Sequence, residues 1–336
     1  MADDDEITAK RPTIYDLAQI AGTSASAVSS VLNGTWKKRR ISARLAERIS
    51  RIAEEQGYAV NLPARMLRRE RSRVIGMIIP KYDNRYFGAI AERFETMARE
   101  RGLFPVITCT QREPALEVEA AREMMSYQVE CLIVTGATDP DRIAELCSAA
   151  RVRAINLDLP GGRAPSVVSD NFAGALELTR VILSRVRADF GTPAPLYFIG
   201  GRAQDNNTRE RLRGFTAAHH EAGLAVPEGN CLMRGYSAAK TLSAMAELGI
   251  ADGSGVFVNS TIALEGVVRW LHDQPVPPEL RFGCFDWDPF AVFLPQNVGM
   301  MQQDVAAMLS TAFQLIESPP EGVPTIRIPC RFRPRP

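Results

Sequence analysis

Polar side chains lie at the ends of several apolar runs in the second part of the chain. Asp158 follows AINL, Asn259 follows GVFV, and Asp286 follows RFGCF. Carboxylates and amides form paired hydrogen bonds around the edge of a polyhydroxyl ring, whereas an aromatic face makes apolar contact with it. Phe87 and Arg209 follow two further apolar runs. These residue types together predict a site for a polyhydroxyl molecule.

The basic side chains of the first fifth of the chain indicate a second kind of chemistry. Residues 10–73 carry 14 Lys and Arg against five Asp and Glu, whereas residues 74–336 carry 26 against 30. The formal net charge of the whole chain is only +1. A strongly basic segment on a near-neutral body is typical of a module that binds a polyanion, and a well-solvated helical surface is the alternative.

The sequence motifs of common enzyme classes are absent. We find no G-x-x-x-x-G-K-[ST], no G-x-S-x-G, no H-E-x-x-H and no G-x-G-x-x-G. His219, His220 and His272 have no acidic or cysteine partners spaced as metal ligands, and the six cysteines form no C-x-x-C pair. We therefore expect no enzyme activity, no cofactor and no metal.

The sequence also predicts the compartment. No apolar run reaches the roughly 18 to 20 residues that a membrane span needs. The start, MADDDEITAK, is acidic and polar, unlike a secretory signal peptide. Scattered cysteines in apolar runs suit free thiols in a reducing environment. We therefore expect a cytoplasmic protein that does not contact a membrane.

Three short helices are predicted within the first sixty residues. Thr13, Ser24 and Ser42 each precede a run whose apolar residues recur at helical spacing, as N-cap residues do. Gly22 ends the first helix. Two short helices joined by a tight turn and followed by a third form a helix-turn-helix, whose second helix enters the major groove of DNA. A helical hairpin that only packs a core has similar spacing.

From Val74 onward, short apolar runs alternate with amphipathic segments. This alternation predicts parallel sheets covered by helices on both faces. About 260 residues are many for one open sheet, so we predict two similar lobes. Ligands in such folds bind at the carboxyl ends of the strands, which places the polar residues named above around one cleft.

Two motifs carry a resemblance to a known family. The stretch TIYDLAQIAGTSASAVSSVLNG is similar to T-[IL]-x-D-[VL]-A-x-x-A-G-V-S-x-x-T-V-S-x-V-L-N, the headpiece pattern of the lactose-repressor (LacI) family. GYAVNLPARMLRR is similar to the family hinge, Y-x-P-N-x-x-A-x-x-L. The long basic loop that ends Arg-Ile-Ser resembles the branch with the fructose and sucrose regulators. The resemblance covers nearly the whole chain and implies a DNA-binding transcription regulator, with repression expected.

The resemblance implies DNA contacts in the first two helices, the following loop and the hinge. The matching residues are Thr13, Tyr15, Ser24, Ala25, Ser26, Ser29, Ser30, Asn33, Arg40, Asn61, Ala64 and Leu67. The family's base-reading pair falls on Ala25 and Ser26, which are too small for bidentate contacts with a base. Specificity is therefore expected from the loop 35–40, and contacts of that loop with phosphates alone are the alternative.

Leu67 has two interpretations. By resemblance, it is the wedge that two subunits push into the minor groove at the centre of the operator, which kinks the DNA. As a plain apolar residue, it would instead seal the headpiece against the rest of the protein. Its position relative to Asn61 and Ala64 favours the wedge.

The body resembles the periplasmic sugar-binding proteins, which implies a two-lobed effector-binding domain. The positions that match the family's effector contacts are Phe87, Asp158, Arg209, Asn259, Asp286 and Gln303. Leu159 and Ser260 replace a usual arginine and a usual aspartate, so two family contacts are in question.

Simpler roles remain open for these residues. Asp158 or Asp286 could cap a helix, and Arg209 could pair with Glu210 or Asp205. The effector itself is either a sugar or a sugar phosphate. The cations that would suit a phosphate are Lys81, Arg85, Arg202 and Arg209.

We predict four segments. They are a disordered acidic tail (1–11), an all-α helix-turn-helix headpiece (12–58), a hinge (59–73) and an α/β sensor of two parallel-sheet lobes that also dimerises (74–336). The expected partners are double-stranded DNA with a palindromic operator, the effector and a second copy of the chain. The end RIPCRFRPRP has no heptad pattern, so we expect a dimer without a tetramerising helix.

Three other functions compete with this interpretation. A transport-type binding protein would carry a signal peptide and would have no basic headpiece. An architectural DNA-binding protein would not need a sensor of about 260 residues. A cytoplasmic carbohydrate sensor with only non-specific DNA affinity is the remaining alternative.

Overall fold

The computed structural model describes residues 12–58, 72–191 and 194–336 of the 336-residue chain. The chain divides into two compact units between Ser72 and Arg73. The predicted acidic tail and most of the predicted hinge lie outside the described residues. In the described part of the chain, no helix is long and apolar enough to cross a membrane.

Three helices form the first unit: α1 Ile14–Ala21, α2 Ala25–Leu32 and α3 Ala43–Glu55. Their N-caps are the predicted Thr13, Ser24 and Ser42, each of which accepts a backbone N–H from the first turn of its helix. Gly22 ends α1 at a φ of 62°, a left-handed conformation that glycine adopts without a Cβ clash. The helices share one apolar core, whose buried side chains include Leu17, Val28 and Ile49.

The first lobe of the second unit is a parallel six-stranded sheet with helices on both faces. Its strands are β1 Val74–Ile79, β2 Phe104–Cys109, β3 Cys131–Thr135, β4 Arg153–Leu157, β5 Ser166–Ser169 and β13 Thr325–Ile328. Its helices are α4 Arg85–Glu100, α5 Pro114–Ser126, α6 Pro140–Ala149 and α11 Val305–Glu317. The strand order is β13-β5-β4-β3-β1-β2, and the central strands β1 and β3 are buried along their whole length.

The second lobe repeats this arrangement. Its strands are β6 Tyr197–Ile199, β8 Cys231–Leu232, β10 Ser254–Val258, β11 Leu280–Phe285, β12 Asn297–Gln302 and β14 Arg331–Pro334. Its helices are α7 Asn171–Phe190, α8 Asn206–Glu221, α9 Ala238–Leu248 and α10 Thr261–Asp273. The order is β14-β12-β11-β10-β6-β8, with β14 antiparallel to β12, and a two-stranded ribbon pairs β7 Gly201–Arg202 with β9 Arg234–Gly235.

The chain crosses between the lobes after β5, after β12 and after β13. Side chains of the crossing segments bond to one another. Ser169 donates to Gln303 Oε1 at 2.6 Å, and Arg331 pairs with Asp304 at 2.5 Å. The three crossings therefore lie side by side, where a small change of backbone angles can move one lobe against the other.

The predicted fold class is confirmed: a helix-turn-helix headpiece precedes an α/β region of two sheets that are mostly parallel. Some elements were not predicted. The sequence patterns did not predict three strands and two helices, namely β5, β12, β14, α9 and α11. The single strand expected in CLMRGY is two short strands, β8 and β9. The sequence of α11, VAAMLSTAFQLIE, is apolar on nearly all sides, which blurs its helical periodicity. In the structure one face packs Met308, Leu309 and Phe313 into the core of the first lobe.

Candidate functional site

Two buried carboxylates occupy the same position in the two lobes. Asp158 follows β4 and Asp286 follows β11, and each of these strands is the fourth in its sheet, counted from β2 or β8. Both residues have a φ of 73°, and both are less than a tenth exposed. Left-handed backbone is uncommon for residues other than glycine and is often found at functional sites. The shared conformation therefore marks the carboxyl ends of these strands as a candidate site.

The wall that the first lobe contributes is largely apolar. Phe87, in the first turn of α4, is buried, and the neighbouring Tyr86 donates its hydroxyl proton to Asp158 Oδ1 at 3.1 Å. Gly136 follows β3 with a φ of 58°. A Cβ at this position would lie 3.4 Å from both Asp158 Oδ2 and the ring of Phe87. The glycine therefore leaves room between the carboxylate and the aromatic ring.

The wall that the second lobe contributes is polar and centred on Arg211, a buried residue of α8. Its Nε donates to Asn171 Oδ1 at 2.7 Å and its Nη1 donates to the carbonyl of Asn259 at 2.6 Å. The guanidinium carbon lies 3.7 Å from the centre of the Phe285 ring. Planar contact on one side and hydrogen bonds at the edge fix this guanidinium in one orientation.

Hydrogen bonds connect the two walls. Asn207 of α8 donates to Asp158 Oδ1 at 2.9 Å and accepts at 3.0 Å from Asn171, the first residue of α7. On the other side, Gln303 donates to Asp286 and accepts from Ser169. The two carboxylates thus accept hydrogen bonds from different parts of the fold. Asp158 is bound across the cleft, whereas Asp286 is bound to a crossing segment.

Burial sets the electrostatics of the cluster. It raises the pKa of Asp158 to about 6, against the opposing effect of the Arg112 and Arg211 guanidiniums. Burial also raises the pKa of Asp286, opposed by Arg211 and by the hydrogen bond from Gln303. The pKa of Tyr86 lies well above its usual value because of burial and the nearby Asp158 charge, so its hydroxyl remains a donor.

The structure brings five of the six predicted effector contacts to this cleft: Phe87, Asp158, Asn259, Asp286 and Gln303. Arg209 is the exception, because its side chain is exposed on α8. The arginine that reaches the cluster is Arg211. The alternative that Asp158 or Asp286 caps a helix does not agree with the structure. Both carboxylates instead accept hydrogen bonds from side chains of the cleft.

The sequence places the ranges 82–87 and 200–209 at the cleft, which include Tyr86 and Asn207, but it does not point to Arg112, Asn171 or Arg211. A signal for Arg211 was present in the helical period of α8. Arg211 lies four residues before the buried Phe215 and seven before the buried Ala218, so it shares their inward face. Arg209 falls on another face of the same helix.

The headpiece presents a second candidate surface. Of the predicted DNA contacts, Thr13, Tyr15, Ser24, Ser26 and Arg40 are exposed, and Tyr15 is 74% exposed. The partly buried ones are Ala25, Ser29, Ser30 and Asn33. An exposed aromatic ring and small hydroxyls on adjacent helices, beside the basic loop, suit contact with a polyanion.

Several of these polar groups also bond within the headpiece. Asn33 donates to the carbonyl and the hydroxyl of Ser29 at 2.8 and 3.2 Å, and Ser30 donates to the carbonyl of Ser26 at 2.8 Å. These bonds fix the end of α2 and leave hydroxyl lone pairs as acceptors. The hinge residues Asn61, Ala64 and Leu67 lie outside the described residues, so the wedge remains a prediction.

Comparison with known proteins places this architecture in a family. Residues 13–61 match the family described as bacterial regulatory proteins, lacI family. Residues 72–246 match the periplasmic binding proteins and sugar binding domain of that family, and residues 194–335 match a periplasmic binding protein-like domain. The chain belongs to the lacI family of bacterial regulatory proteins, which confirms the predicted family.

Individual relatives agree with this membership. The ribitol operon repressor of Klebsiella aerogenes is 64% identical over 193 residues, which cover 57% of this chain and 72% of the relative. The sucrose operon repressor of Klebsiella pneumoniae is 28% identical over 318 residues, which cover 93% of both chains. The structure of the lac repressor dimer bound to operator and the anti-inducer ONPF has the same fold, with a TM-score of 0.75 at 20% identity over 97% of this chain and 98% of that one.

Proposed function

We propose that this protein is a repressor that binds a palindromic operator as a homodimer and responds to an uncharged polyol or sugar. The observation that carries the proposal is the buried cluster at the carboxyl ends of β4 and β11, in which two carboxylates, two guanidiniums and several amides meet beside the ring of Phe87. The protein acts by binding and not by catalysis.

An unsatisfied acceptor supports a hydroxylated effector. Asn259 is fully buried, and its Nδ2 donates to Thr208 at 3.3 Å, but its Oδ1 has no partner among the described residues. An unpaired buried acceptor destabilises the protein unless a ligand or water donates a hydrogen bond to it. One hydroxyl of the effector can donate this hydrogen bond. Its other hydroxyls can donate to the lone pairs that remain free on Asp158 and Asp286.

The charges favour an uncharged effector over a sugar phosphate. In the cluster, the guanidiniums of Arg112 and Arg211 offset the carboxylates of Asp158 and Asp286. Of the four other cations that would suit a phosphate, Arg209 is exposed on α8, and the remaining three already have acidic partners. These pairs are Lys81 with Asp83 at 3.9 Å, Arg85 with Asp288 at 2.9 Å and Arg202 with Asp205 at 3.0 Å. A phosphate dianion would therefore add unbalanced negative charge.

The relatives suggest which polyol to test first. The 64% identical relative is named for ribitol, and the full-length relatives include regulators named for sucrose and fructose. Ribitol is an uncharged open-chain polyol with five hydroxyls, which suits carboxylate and amide acceptors beside a short apolar surface.

Exposed aromatic side chains support the homodimer. Tyr82, Phe290 and Phe293 are 56%, 77% and 65% exposed in the second unit. Phe290 and Phe293 are three residues apart in the chain, and exposed apolar patches commonly mark an interaction surface. A second copy of the chain would place two headpieces on the two half-sites of a palindrome.

The proposal is tested by selecting binders from a random DNA duplex library with the full-length protein at moderate salt. We expect one palindromic motif with a constant centre. A labelled duplex with this motif is then titrated with protein in the presence of ribitol, sucrose, fructose or their phosphate esters. Binding without an enriched motif, lost as salt rises, would instead support a sensor with non-specific DNA affinity only.

A further inference from the structure

Arg112 lies between an aromatic ring of each lobe. It belongs to the turn that joins β2 to α5 in the first lobe. Its guanidinium carbon is 5.6 Å from the centre of the Phe87 ring, also in the first lobe, and 5.1 Å from the centre of the Tyr236 ring in the second. Both distances are within the range in which a cation is attracted to the face of an aromatic ring. One side chain thus bridges the cleft through two rings.

The backbone that carries Arg112 is unusual. Gln111 and Arg112 have φ angles of 53° and 60°, two consecutive left-handed residues that are not glycine. Such conformations persist where the surrounding structure enforces them, and they are frequent at ligand-binding sites. Here, Thr110 donates its N–H to Ile79 at 2.9 Å, and Glu113 donates to Thr110 at 2.8 Å. The turn is anchored on both sides and directs the Arg112 side chain to the cleft.

Tyr236, the partner in the second lobe, is itself fixed. Its hydroxyl and that of Thr208 are 3.3 Å apart and share a hydrogen bond. Thr208 in turn accepts from the amide of Asn259 at 3.3 Å. The ring that faces Arg112 is therefore connected to the polar wall of the site.

The charge of Arg112 acts on Asp158. The charged and titratable groups that face this carboxylate are Arg112 from the β2–α5 turn, Arg211 from α8, Tyr86 from α4 and Asp286 from the end of β11. Burial raises the pKa of Asp158, and Arg112 is the strongest of the opposing charges. Arg112 therefore favours the ionised carboxylate, the form in which both oxygens accept hydrogen bonds from hydroxyl groups.

We propose that Arg112 is the positioning residue that holds the two lobes closed over the effector and keeps Asp158 in its accepting form. This role rests on the effector site proposed above. Opening the lobes would separate the guanidinium from Tyr236, so the contact contributes only to the closed form. Effector binding and the Arg112 contact then stabilise the same state.

The test compares Arg112→Asn with Gln111→Asn. Asparagine tolerates the left-handed conformation, so both variants preserve the turn. Gln111 is exposed in the same turn and serves as the matched control. Two measurements on the effector-free protein are a ¹³C NMR titration of the Asp158 carboxyl and hydrogen exchange of the backbone amides in 104–116 and 231–240.

We expect Arg112→Asn to raise the pKa of Asp158 above its wild-type value and to speed exchange in both segments, whereas Gln111→Asn changes neither. Ribitol, used as the probe in calorimetry, should bind the Arg112→Asn variant about tenfold more weakly. Arg112→Lys keeps the charge but loses the planar contact, so it should preserve the pKa of Asp158 while still speeding exchange.

An unchanged pKa and unchanged exchange in Arg112→Asn would overturn the proposal. Equal changes in the Gln111→Asn control would also overturn it, because they would trace the effect to the turn and not to the guanidinium. Both measurements are made without effector. A wild-type protein that ignores ribitol would therefore count against the proposed polyol specificity and not against the role of Arg112.

Discussion

The two lobes have matching topology, yet their contributions to the cleft differ in chemistry. In the first turn of the helix after the first strand, α4 has Tyr86 and Phe87 where α8 has Asn207 and Thr208. One turn further, Ile90 in α4 corresponds to Arg211 in α8, and both are buried. At the end of the third strand, the first lobe has Gly136 and the second has Asn259.

The shared element is the aspartate in left-handed conformation after the fourth strand, Asp158 in one lobe and Asp286 in the other. The repeated fold therefore supplies two carboxylates by symmetry, and the substitutions around them specialise the walls. An apolar wall opposite a polar one suits a molecule with a hydrocarbon side and a hydroxylated edge. In the proposed site, the sheet topology sets the position of the two carboxylates, whereas a few helix positions give the two walls different chemistry.

The largest expected effect comes from replacing the buried cation of the polar wall. Arg211→Leu leaves Asp158 and Asp286 without their shared countercharge and removes two hydrogen bonds. We expect a loss of about 3 to 5 kcal/mol in the free energy of unfolding, measured by urea denaturation. Arg209→Leu on the exposed face of the same helix should change it by no more than about 0.5 kcal/mol. Equal losses in both variants would contradict the placement of Arg211.

The next effect concerns the symmetric pair. Asp158→Asn and Asp286→Asn preserve side-chain shape but replace one acceptor oxygen by a donor and remove the charge. Since a hydrogen bond to a charged group contributes about 1.5 to 3 kcal/mol, each variant should weaken ribitol binding at least tenfold in calorimetry. If only one substitution weakened binding, the two lobes would not share the effector as proposed.

A third variant makes the apolar wall resemble the polar one. Gly136→Asn introduces the residue of the second lobe at the matching position of the first, and asparagine tolerates the φ of 58°. Its side chain would fill the space between Phe87 and Asp158, so ribitol affinity should fall about tenfold while the fold is retained. Thermal unfolding with circular dichroism checks the fold, and unaltered ribitol affinity would place the effector elsewhere.

The smallest expected effect is a pH dependence. Because the pKa of Asp158 is about 6, its ionised fraction, and with it ribitol affinity, should fall about fourfold between pH 7.5 and 5.5. The sign for folding is opposite. A raised pKa means that the contribution of Asp158 to stability is present below pH 4 and is lost as pH rises through 6. Asp158→Asn should flatten both profiles, and a slope that persists in this variant would assign the titration to another group.

Much of this architecture could be predicted from the sequence because it depends on local patterns. The capping residues Thr13, Ser24 and Ser42 begin the three headpiece helices as expected. The rule that ligands bind at the carboxyl ends of parallel strands pointed to Asp158, Asn259 and Asp286, which the structure places buried at the ends of β4, β10 and β11. These inferences need only neighbouring residues and one general property of the fold.

The parts that could not be predicted depend on contacts between distant residues. The bond from Asn207 to Asp158 joins residues 49 positions apart, and the Arg211 bond to Asn259 joins residues 48 apart. The family pattern predicts Arg209, whereas the helical period of α8 places Arg211 on the buried face. The contact between Arg112 and Tyr236, on which the proposed role of Arg112 depends, is not indicated by any local pattern in the sequence.

The most direct test of the central claim is a titration of the selected operator duplex with the full-length protein. The fluorescence anisotropy of the labelled duplex reports binding, with and without ribitol. The account predicts that saturating ribitol changes the operator affinity at least fivefold, in the range of typical allosteric coupling, and that ribitol 5-phosphate does not. Two results would contradict an uncharged polyol as the effector. One is operator-binding curves that are the same with and without ribitol, and with and without every other uncharged sugar tested. The other is a response to the phosphate ester alone.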